Sequence, residues 1–362
     1  MTIAIELCSD VGRLRELAPE WDALLCRSAS NEPVLTPLWQ LAWWQVFGAL
    51  DGRRLQALVL RRERRLIGLL LLVSRRVWHR SVLPLRRLEL SGSGEDESDE
   101  ICSDYLGPIV EIGEELAVAQ AIAIWLMQQR DIDELLLPRM DGANRANQEL
   151  VHALRCSGFG GDMVEGAPAP YIPLASSFEG YLAELSPSRR AHLQRARKDF
   201  SKWAGDSVHF RHATDRGSLA EGKQVLAALH GERWRSAGKS GVFASTHFAA
   251  FHDLVLPALL EKSALDLHWL EAHGRPVASA YNIHWNRKVY HYQSGRSLDL
   301  PKSLSPGVVL LAHCIEAAAA RGDREFDFLP GRQPYKLRLA LKTRPLIFVR
   351  AARPTFRQSL RW

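Results

Sequence analysis

Hydrophobic residues along the chain recur at two spacings, every third or fourth residue and in short unbroken runs, which are typical of helices and buried strands respectively. In the first half, this pattern predicts helices over 11–27, 37–47, 114–130 and 145–156 and strands over 55–62, 65–76, 87–90 and 135–137. The apolar run over 66–73 indicates a strand that is buried in the middle of a sheet.

The second half repeats this order of elements after a stretch, 158–173, that is rich in Gly, Pro and Ala. Such a stretch predicts a domain junction, and we expect domains over 1–165 and 166–362. The predicted helices cover 178–185, 187–203, 219–236, 246–262 and 306–321, and the strands 208–212, 265–272, 275–285, 288–295, 325–328 and 346–350. Adjacent strands followed by a helix and one more strand predict a mixed α/β class, with largely antiparallel sheets flanked by helices.

Composition narrows the class of ligand and the compartment. The 362 residues carry a formal net charge of +6 and a pI of about 9.2, which fits an anionic ligand such as CoA or a nucleotide. The five cysteines form no CxxC pair, so we expect neither a disulfide scaffold nor structural zinc, and we expect a cytoplasmic protein. No apolar stretch approaches the length of a membrane span, and the N-terminus lacks a signal-peptide pattern.

The segment 289–336 contains the most informative candidate site. A predicted strand is followed by a polar loop and by a helix that begins at Ser305-Pro306-Gly307. The first turn of a helix exposes unpaired N–H groups and the positive end of its dipole, and a glycine lets a ligand approach the backbone closely. This helix start is therefore a candidate cradle for pyrophosphate, although many helices begin in this way and bind nothing.

The same segment resembles the bacterial cellulose-biosynthesis acetyltransferase family, a branch of the GNAT superfamily related to the Fem-type peptidyltransferases. The residues that carry the resemblance are Tyr292-Gln293-Ser294-Gly295-Arg296, Ser305-Pro306-Gly307, 326–328, Gly331, Tyr335-Lys336, Trp234, 275–278, the basic stretch 188–198, Asp104-Tyr105 and 39–47. The loop 299–307 stands where ordinary GNAT proteins have a glycine-rich phosphate loop. The resemblance implies tandem GNAT-like domains, the first of them degenerate, and acetyl-CoA or another acyl-CoA as co-substrate, with no permanently bound cofactor.

It also implies roles for individual residues. The expected donor-binding residues are Gln293, Ser294, Gly295, Arg296, Ser305, Pro306 and Gly307. The expected catalytic residues are Lys336, Asp327 and Tyr292, and the expected acceptor-binding residues are Trp234, His291, Tyr335, Asp104 and Tyr105. Lys336 would stabilise charge that develops during acyl transfer, or it is a surface lysine in a cation-rich segment.

Strand alternation separates several of these candidates. Asp327 would face away from its two phenylalanine neighbours, either toward a cleft as a proton acceptor or toward an arginine as half of an ion pair. His291 and Tyr292 would face opposite sides of their strand, so that one of them lines the cleft. The basic helix over 187–203 is either a solvated face or a surface for an anionic substrate, a CoA phosphate or a tRNA-borne donor.

We expect an N- or O-acyltransferase that acts on a small-molecule or polysaccharide-related amine or hydroxyl. An aminoacyl-tRNA-dependent transferase of the Fem type and a non-catalytic accessory protein of exopolysaccharide synthesis are the alternatives. Sequence-specific nucleic-acid binding is not expected, because the basic stretch lacks interleaved aromatic residues. No nucleophile elbow, Walker loop, Rossmann fingerprint or zinc-binding HExxH occurs, and we expect no metal site.

Overall fold

The structure is a computed structural model that describes residues 2–79, 83–236, 238 and 241–352. The chain divides into two compact units. The first unit comprises Met1–Ala167 and the C-terminal segment that begins at Arg344, and the second unit comprises Pro168–Thr343.

The described part of the first unit contains an eight-stranded sheet and five α-helices. Its strands are β1 (Ile3–Cys8), β2 (Arg54–Arg62), β3 (Arg65–His79), β4 (Leu83–Leu90), β5 (Ile109–Val110), β6 (Glu134–Asp141), β7 (Gly160–Glu165) and β15 (Leu346–Ala352), and its helices are α1 (Val11–Glu16), α2 (Ala18–Cys26), α3 (Pro37–Phe47), α4 (Glu115–Gln128) and α5 (Arg145–Cys156). The strand order is β1-β2-β3-β4-β6-β15-β7, and β5 pairs with β3.

The second unit contains a seven-stranded sheet and six helices among its described residues. Its strands are β8 (Ala169–Pro173), β9 (His209–His212), β10 (Leu265–Ala272), β11 (Arg275–Trp285), β12 (Lys288–Arg296), β13 (Glu325–Asp327) and β14 (Lys342–Arg344), and its helices are α6 (Phe178–Glu184), α7 (Pro187–Ala204), α8 (Arg216–Ser236), α9 (Thr246–Glu261), α10 (Pro306–Ala320) and α11 (Pro334–Leu339). The strand order is β14-β8-β13-β12-β11-β10-β9.

Strand β11 lies at the centre of the second unit because both of its faces are covered. Ala278 and Ala280 pack in one apolar cluster with Cys314 and Ile315 of α10. Helix α8 also contacts β11, on the opposite face. A strand that is covered on both sides needs buried side chains on both faces instead of alternation. Residues 277–281 are all buried, and the small Ser279 is the one polar side chain among the four apolar ones.

Both units share one topology. Strands β10, β11 and β12 form an antiparallel meander, α10 follows, and β13 then pairs parallel to β12. In the first unit, β2, β3 and β4 form the meander, α4 follows β5, and β6 pairs parallel to β4. The expected fold class, mixed α/β with two largely antiparallel sheets flanked by helices, is confirmed.

The prediction that the strand over 346–350 belongs to the second domain is wrong. This strand, β15, pairs antiparallel with both β6 and β7 and so completes the sheet of the first unit. The junction 158–173 also contains two strands that were not predicted, β7 and β8, one in each sheet. Sequence pattern marks a strand but does not identify its partner, which is why the assignment failed.

Three smaller differences concern the bounds of the elements. The predicted helix over 11–27 is two helices, α1 and α2, with Pro19 in the first turn of the second. The N-terminal strand β1 and the short helix α11, which begins at Pro334, were not predicted. The strand β1 and the helix α11 were missed because short elements contain too few residues to establish a period. The split at Pro19 was missed because a proline is compatible with the first turn of a helix as well as with a break between two helices.

The position of β15 predicts that a charge there destabilises the first unit. Val349 is 6% exposed, and we expect Val349→Asp to lower the free energy of unfolding by about 2 kcal/mol or more, because a carboxylate would be buried without a partner. Val164 of the neighbouring strand β7 is 54% exposed, so Val164→Asp should change stability by about 0.5 kcal/mol or less. Chemical denaturation of the two variants checks this, and equal losses would contradict the assignment.

Candidate functional site

A cavity of about 450 Å³ lies in the second unit, beside the end of β12 and the start of α10. Its lining consists of three groups of residues. Those from α8, β11 and β12 are Arg233, Ser279, Ala280, His291, Ser294, Gly295 and Arg296. Those from the following loop and α10 are Lys302, Leu304, Ser305, Pro306, Gly307, Val308, Leu310 and Leu311, and those around α11 are Gln333, Pro334, Tyr335 and Arg338. Eight of the residues predicted to form the site lie in this lining. They are His291, Ser294, Gly295, Arg296, Ser305, Pro306, Gly307 and Tyr335.

The divergence of two strands creates this space. The parallel pairing of β12 with β13 covers three residues of each strand and ends at Tyr290 opposite Asp327. From His291 onward, β12 pairs with β11 alone within the described part of the sheet. The edge of β12 that β13 leaves uncovered faces the cavity, so backbone groups and side chains of β12 are available to a ligand there.

A β-bulge in β12 decides which side chains reach the cavity. Asn282 of β11 pairs with His291 and Tyr281 pairs with Gln293, so Tyr292 is the extra residue. Paired residues share a face, which places His291 with Asn282 on the cavity side and Gln293 with Tyr281 on the other. The ring of Tyr292 lies 5.1 Å from that of Tyr281. The prediction that His291 and Tyr292 face opposite sides is therefore confirmed, and His291 is the one that lines the cavity.

The start of α10 presents a glycine to the cavity. Pro306 has no N–H, and the amides of Val308 and Val309 both donate to the Ser305 carbonyl, so Gly307 supplies the donor in this turn. A Cβ atom added to Gly307 would meet no other atom within 4 Å. The helix start is thus accessible to a ligand, with one backbone donor instead of the several that were expected.

The charge of the lining is positive. Arg233, Arg296, Lys302 and Arg338 contribute to it, and no carboxylate occurs among the described residues that line the cavity. Three of these cations, Arg233, Lys302 and Arg338, were not predicted as site residues. Four cations around a concave surface beside a helix N-terminus favour an anionic ligand.

His291 is held as a neutral imidazole. Its side chain is 3% exposed, and its Nδ1–H donates to Asn282 Oδ1 over 2.8 Å. Burial, with smaller effects from the nearby charges of Lys336 and Arg233, lowers the pKa of His291 to about 3. The Nε2 atom is buried and has no hydrogen-bond partner among the described residues. Since Nδ1 carries the proton, Nε2 presents a lone pair as an acceptor.

Tyr335 lies close to His291 on the other wall of the cavity. The ring centroids are 6.3 Å apart, and a hydrogen bond joins the side chains of Tyr335 and Ser294. Burial raises the pKa of Tyr335, so that its hydroxyl stays protonated at neutral pH. His291, Ser294 and Tyr335 therefore form a polar group at the base of an otherwise cationic cavity.

Lys336 and Asp327 lie behind this wall and not in the lining. Lys336 is 8% exposed, and its Nζ donates to the carbonyls of Leu329 and Pro330 over 3.3 and 3.0 Å. Asp327 is fully buried and accepts from the Leu329 amide over 2.7 Å. Leu329 has a φ of 57°, a strained value for a leucine. Both charged side chains thus stabilise the turn after β13, and their predicted catalytic roles stay predictions.

The remaining predicted residues have other neighbours. Gln293 hydrogen-bonds to His230 on the α8 face, and Trp234 Nε1 donates to His230 Nε2 over 2.8 Å. Asp104 and Tyr105 belong to the first unit, where Arg139 Nη1 donates to Asp104 over 2.8 Å and the guanidinium of Arg344 lies 5.3 Å from the Tyr105 ring. The predicted ligand-binding roles of these four residues stay predictions.

Basic helix α7 is tied into the second unit. Arg189 donates to the carbonyls of Arg338 and Ala340, and Arg190 donates to those of Ala183 and Leu185. Arg197 pairs with Glu316 of α10 at 3.1 Å. Three of the six Lys and Arg residues of α7 therefore make structural contacts, whereas Arg195, Lys198 and Lys202 are exposed.

No group of three or more His, Cys, Asp or Glu residues able to hold a metal ion occurs in the part of the chain that the structure describes. None of the described helices has both the length and the apolar character needed to cross a bilayer.

The two glycines of the site predict opposite responses to an added methyl group. In Gly295→Ala the new Cβ would lie 2.5 Å from the His230 amide and 2.7 Å from the Leu229 carbonyl carbon of α8, so we expect a loss of about 1–3 kcal/mol in unfolding free energy. In Gly307→Ala the added methyl group has room, so the free energy of unfolding should stay the same or rise by up to about 1 kcal/mol. Chemical denaturation measures both, and similar losses would contradict the described packing.

Comparison with known proteins places this cavity in a recognised domain. Residues 187–337 match the family model of the acetyltransferase (GNAT) domain. No curated protein matches the sequence of the chain.

Solved structures show the same fold at low sequence identity. The crystal structure of FemX aligns with a TM-score of 0.63 and 12% identity over 92% of this chain and 95% of that one. A conserved protein of unknown function from Bacteroides thetaiotaomicron gives 0.55 and 11% over 96% and 99%, and L-PGS from Bacillus licheniformis gives 0.52 and 13% over 94% and 92%. The chain therefore has the fold of these proteins, and residues 187–337 of its second unit match the model of the acetyltransferase (GNAT) domain.

Proposed function

We propose that this chain transfers an acyl group, most simply acetyl, from a CoA thioester to an amine or hydroxyl of a small-molecule or saccharide acceptor. The observation that carries the proposal is the cationic cavity at the start of α10, which lies within the segment that matches the acetyltransferase domain. The resemblance to cellulose-biosynthesis acetyltransferases supports a polysaccharide-related acceptor. Five unpaired cysteines support a reaction in the cytoplasm.

The charges of the cavity suit the phosphates of CoA. Arg296, Lys302 and Arg338 would contact phosphate oxygens, and the Gly307 amide would add one backbone donor at the positive end of the helix dipole. Phosphate binding at this place would direct the acyl-pantetheine arm along the uncovered edge of β12.

The uncovered edge of β12 supports polarisation of the thioester carbonyl. Beyond Tyr290, β12 pairs with β11 alone within the described part of the sheet, so its other edge borders the cavity. Backbone N–H groups on that edge, fixed by the sheet around them, would stabilise the oxyanion that forms during attack. The side chain of Tyr292 packs against Tyr281 on the face away from the cavity and has no part in this step.

His291 would accept the proton of the attacking group. It lines the cavity, its buried Nε2 has no hydrogen-bond partner among the described residues, and Asn282 fixes the tautomer. The acceptor nitrogen or oxygen would bond to the acyl carbon and lose its proton to Nε2 as the C–S bond breaks. Because burial makes the imidazolium unfavourable, the proton would then pass to the departing thiolate. Lys336 and Asp327 would act indirectly, through the turn that positions Tyr335.

Calorimetric titration with acetyl-CoA tests the donor. We expect Arg338→Gln to weaken binding about tenfold or more, because a hydrogen bond to a charged group contributes about 1.5–3 kcal/mol. Arg216→Gln is the control, since Arg216 lies on an exposed part of α8 outside the cavity and should change binding less than twofold. Absence of binding at millimolar acetyl-CoA, or an equal loss of affinity in the two variants, would contradict the proposal that acetyl-CoA is the donor.

The same preparation separates the competing hypotheses. An aminoacyl-tRNA donor predicts no acyl-CoA binding and an activity that ribonuclease treatment abolishes. An accessory protein without catalysis predicts that neither donor is consumed.

Basal hydrolysis of acetyl-CoA, in which water is the acceptor, tests His291. We expect His291→Ala to lower kcat about 100-fold with little change in KM, because a proton acceptor acts in the transition state. His192→Ala on the exposed side of α7 should have no effect.

The pH dependence follows from the lowered pKa. A pKa of about 3 leaves His291 in its base form throughout the range in which an ordinary histidine gains a proton, so we expect wild-type kcat to hold from pH 8 down to pH 5.5. A fall of kcat through about pH 6.5 would contradict the described burial of His291.

A further inference from the structure

The first unit contains a cavity of its own, of about 510 Å³, that the proposed reaction does not use. Its lining includes four arginines, Arg54, Arg75, Arg76 and Arg86, together with Trp125 of α4. Asp51 and Asp131 are the acidic residues among the described lining, and both are more than half exposed at the rim.

Strand register places three of these arginines on one face of the sheet. Arg54 of β2 pairs with Ser74 of β3, and Ser74 pairs in turn with Leu88 of β4. Two residues further along β3, Arg76 pairs directly with Arg86. Side chains of paired residues and of residues two apart point to the same side, so Arg54, Arg76 and Arg86 converge above β3.

Two arginines directly opposite each other on neighbouring strands repel, and such a pair normally destabilises a sheet. Asp131 pairs with Arg86 and so compensates one of the two charges. Arg76 and Arg54 make no hydrogen bond or ion pair with any residue in the described ranges. Arg75, by contrast, is bound by Asp51 at 3.2 Å and by the buried Glu89 at 2.7 Å.

The lining therefore carries four positive and two negative charges, and the two unmatched charges belong to neighbouring arginines on one face. A dianion between Arg54 and Arg76 would match this excess and relieve the repulsion across β3 and β4. The planar fork of a guanidinium suits phosphate oxygens in particular. Trp125, Leu88 and Ile132 line the same cavity and offer an apolar wall, and its volume exceeds what a bare phosphate group requires.

We propose that this cavity binds a phosphomonoester that carries a ring, with the phosphate between Arg54 and Arg76 and the ring against Trp125. The site is separate from the proposed donor site, because its lining residues belong to the first unit and those of the donor cavity to the second.

Calorimetric titration of the full chain with phenyl phosphate tests the proposal. We expect phenyl phosphate to bind more tightly than inorganic phosphate, which lacks the ring, and than benzoate, which carries one negative charge. Arg76→Gln and Arg54→Gln should each weaken binding of phenyl phosphate about tenfold. Arg64→Gln, in the exposed turn before β3, is the matched control and should leave the affinity unchanged.

Two further measurements separate this site from the donor site. Arg76→Gln should leave the acetyl-CoA affinity unchanged, and Arg338→Gln should leave the phenyl phosphate affinity unchanged, so either site can fail without the other. Without ligand, Arg76→Gln should raise the melting temperature slightly, because it removes one of two opposed charges. Absence of phenyl phosphate binding at 10 millimolar and low salt, or a loss in Arg338→Gln equal to that in Arg76→Gln, would overturn the proposal.

Discussion

Among the strands that the structure describes, β12 has a neighbour on each side at its start and on one side at its end. Its parallel pairing with β13 stops after Tyr290, and its antiparallel pairing with β11 continues to Arg296. A strand edge that is left unpaired inside a domain must be covered or must face a space, since its backbone groups need partners. Here it faces the cavity, and the bulge at Tyr292 turns His291 toward that space and Tyr292 away from it. The candidate residues of β12 that line the cavity owe their access to it to this divergence.

The wall opposite β12 is maintained by buried polar contacts. Turning the chain sharply after β13 requires a left-handed conformation at Leu329, and a leucine adopts it at a cost in strain. Asp327 binds the amide of Leu329, and Lys336 binds its carbonyl and that of Pro330. A buried ammonium group costs several kcal/mol unless it has partners, so these bonds stabilise the lysine as much as the turn. Tyr335, adjacent to Lys336, is thereby held against Ser294.

Much of this arrangement follows from the sequence. Apolar runs and turn residues identify β10, β11, β12 and α10 to within a residue or two, and Ser305-Pro306-Gly307 marks the helix start that lines the cavity. The bulge in β12 cannot be predicted from the sequence, because it depends on which residue of β11 pairs with His291. Nor can the burial of Lys336, since a lysine beside arginines has the composition of a surface segment. The sequence also does not show that β8 pairs with β13 or that β15, near the C-terminus, pairs with β6 of the first unit. Both pairings join strands that are far apart in the sequence, and no local pattern encodes them.

The shared topology of the two units also indicates why one cavity lies at a helix start and the other does not. In the second unit, the first turn of α10 has no acidic residue, and Ser305 makes no capping bond, so the positive helix end is available to an anion. In the first unit, α4 begins with Glu115, which is buried and accepts from the Gly113 amide over 2.9 Å. A carboxylate in the first turn is favourable to the helix dipole, and it occupies the place of an external anion. The start of α4 therefore does not offer the anion cradle that the proposed donor site requires, while the arginines of β2, β3 and β4 concentrate positive charge elsewhere on the sheet of the first unit.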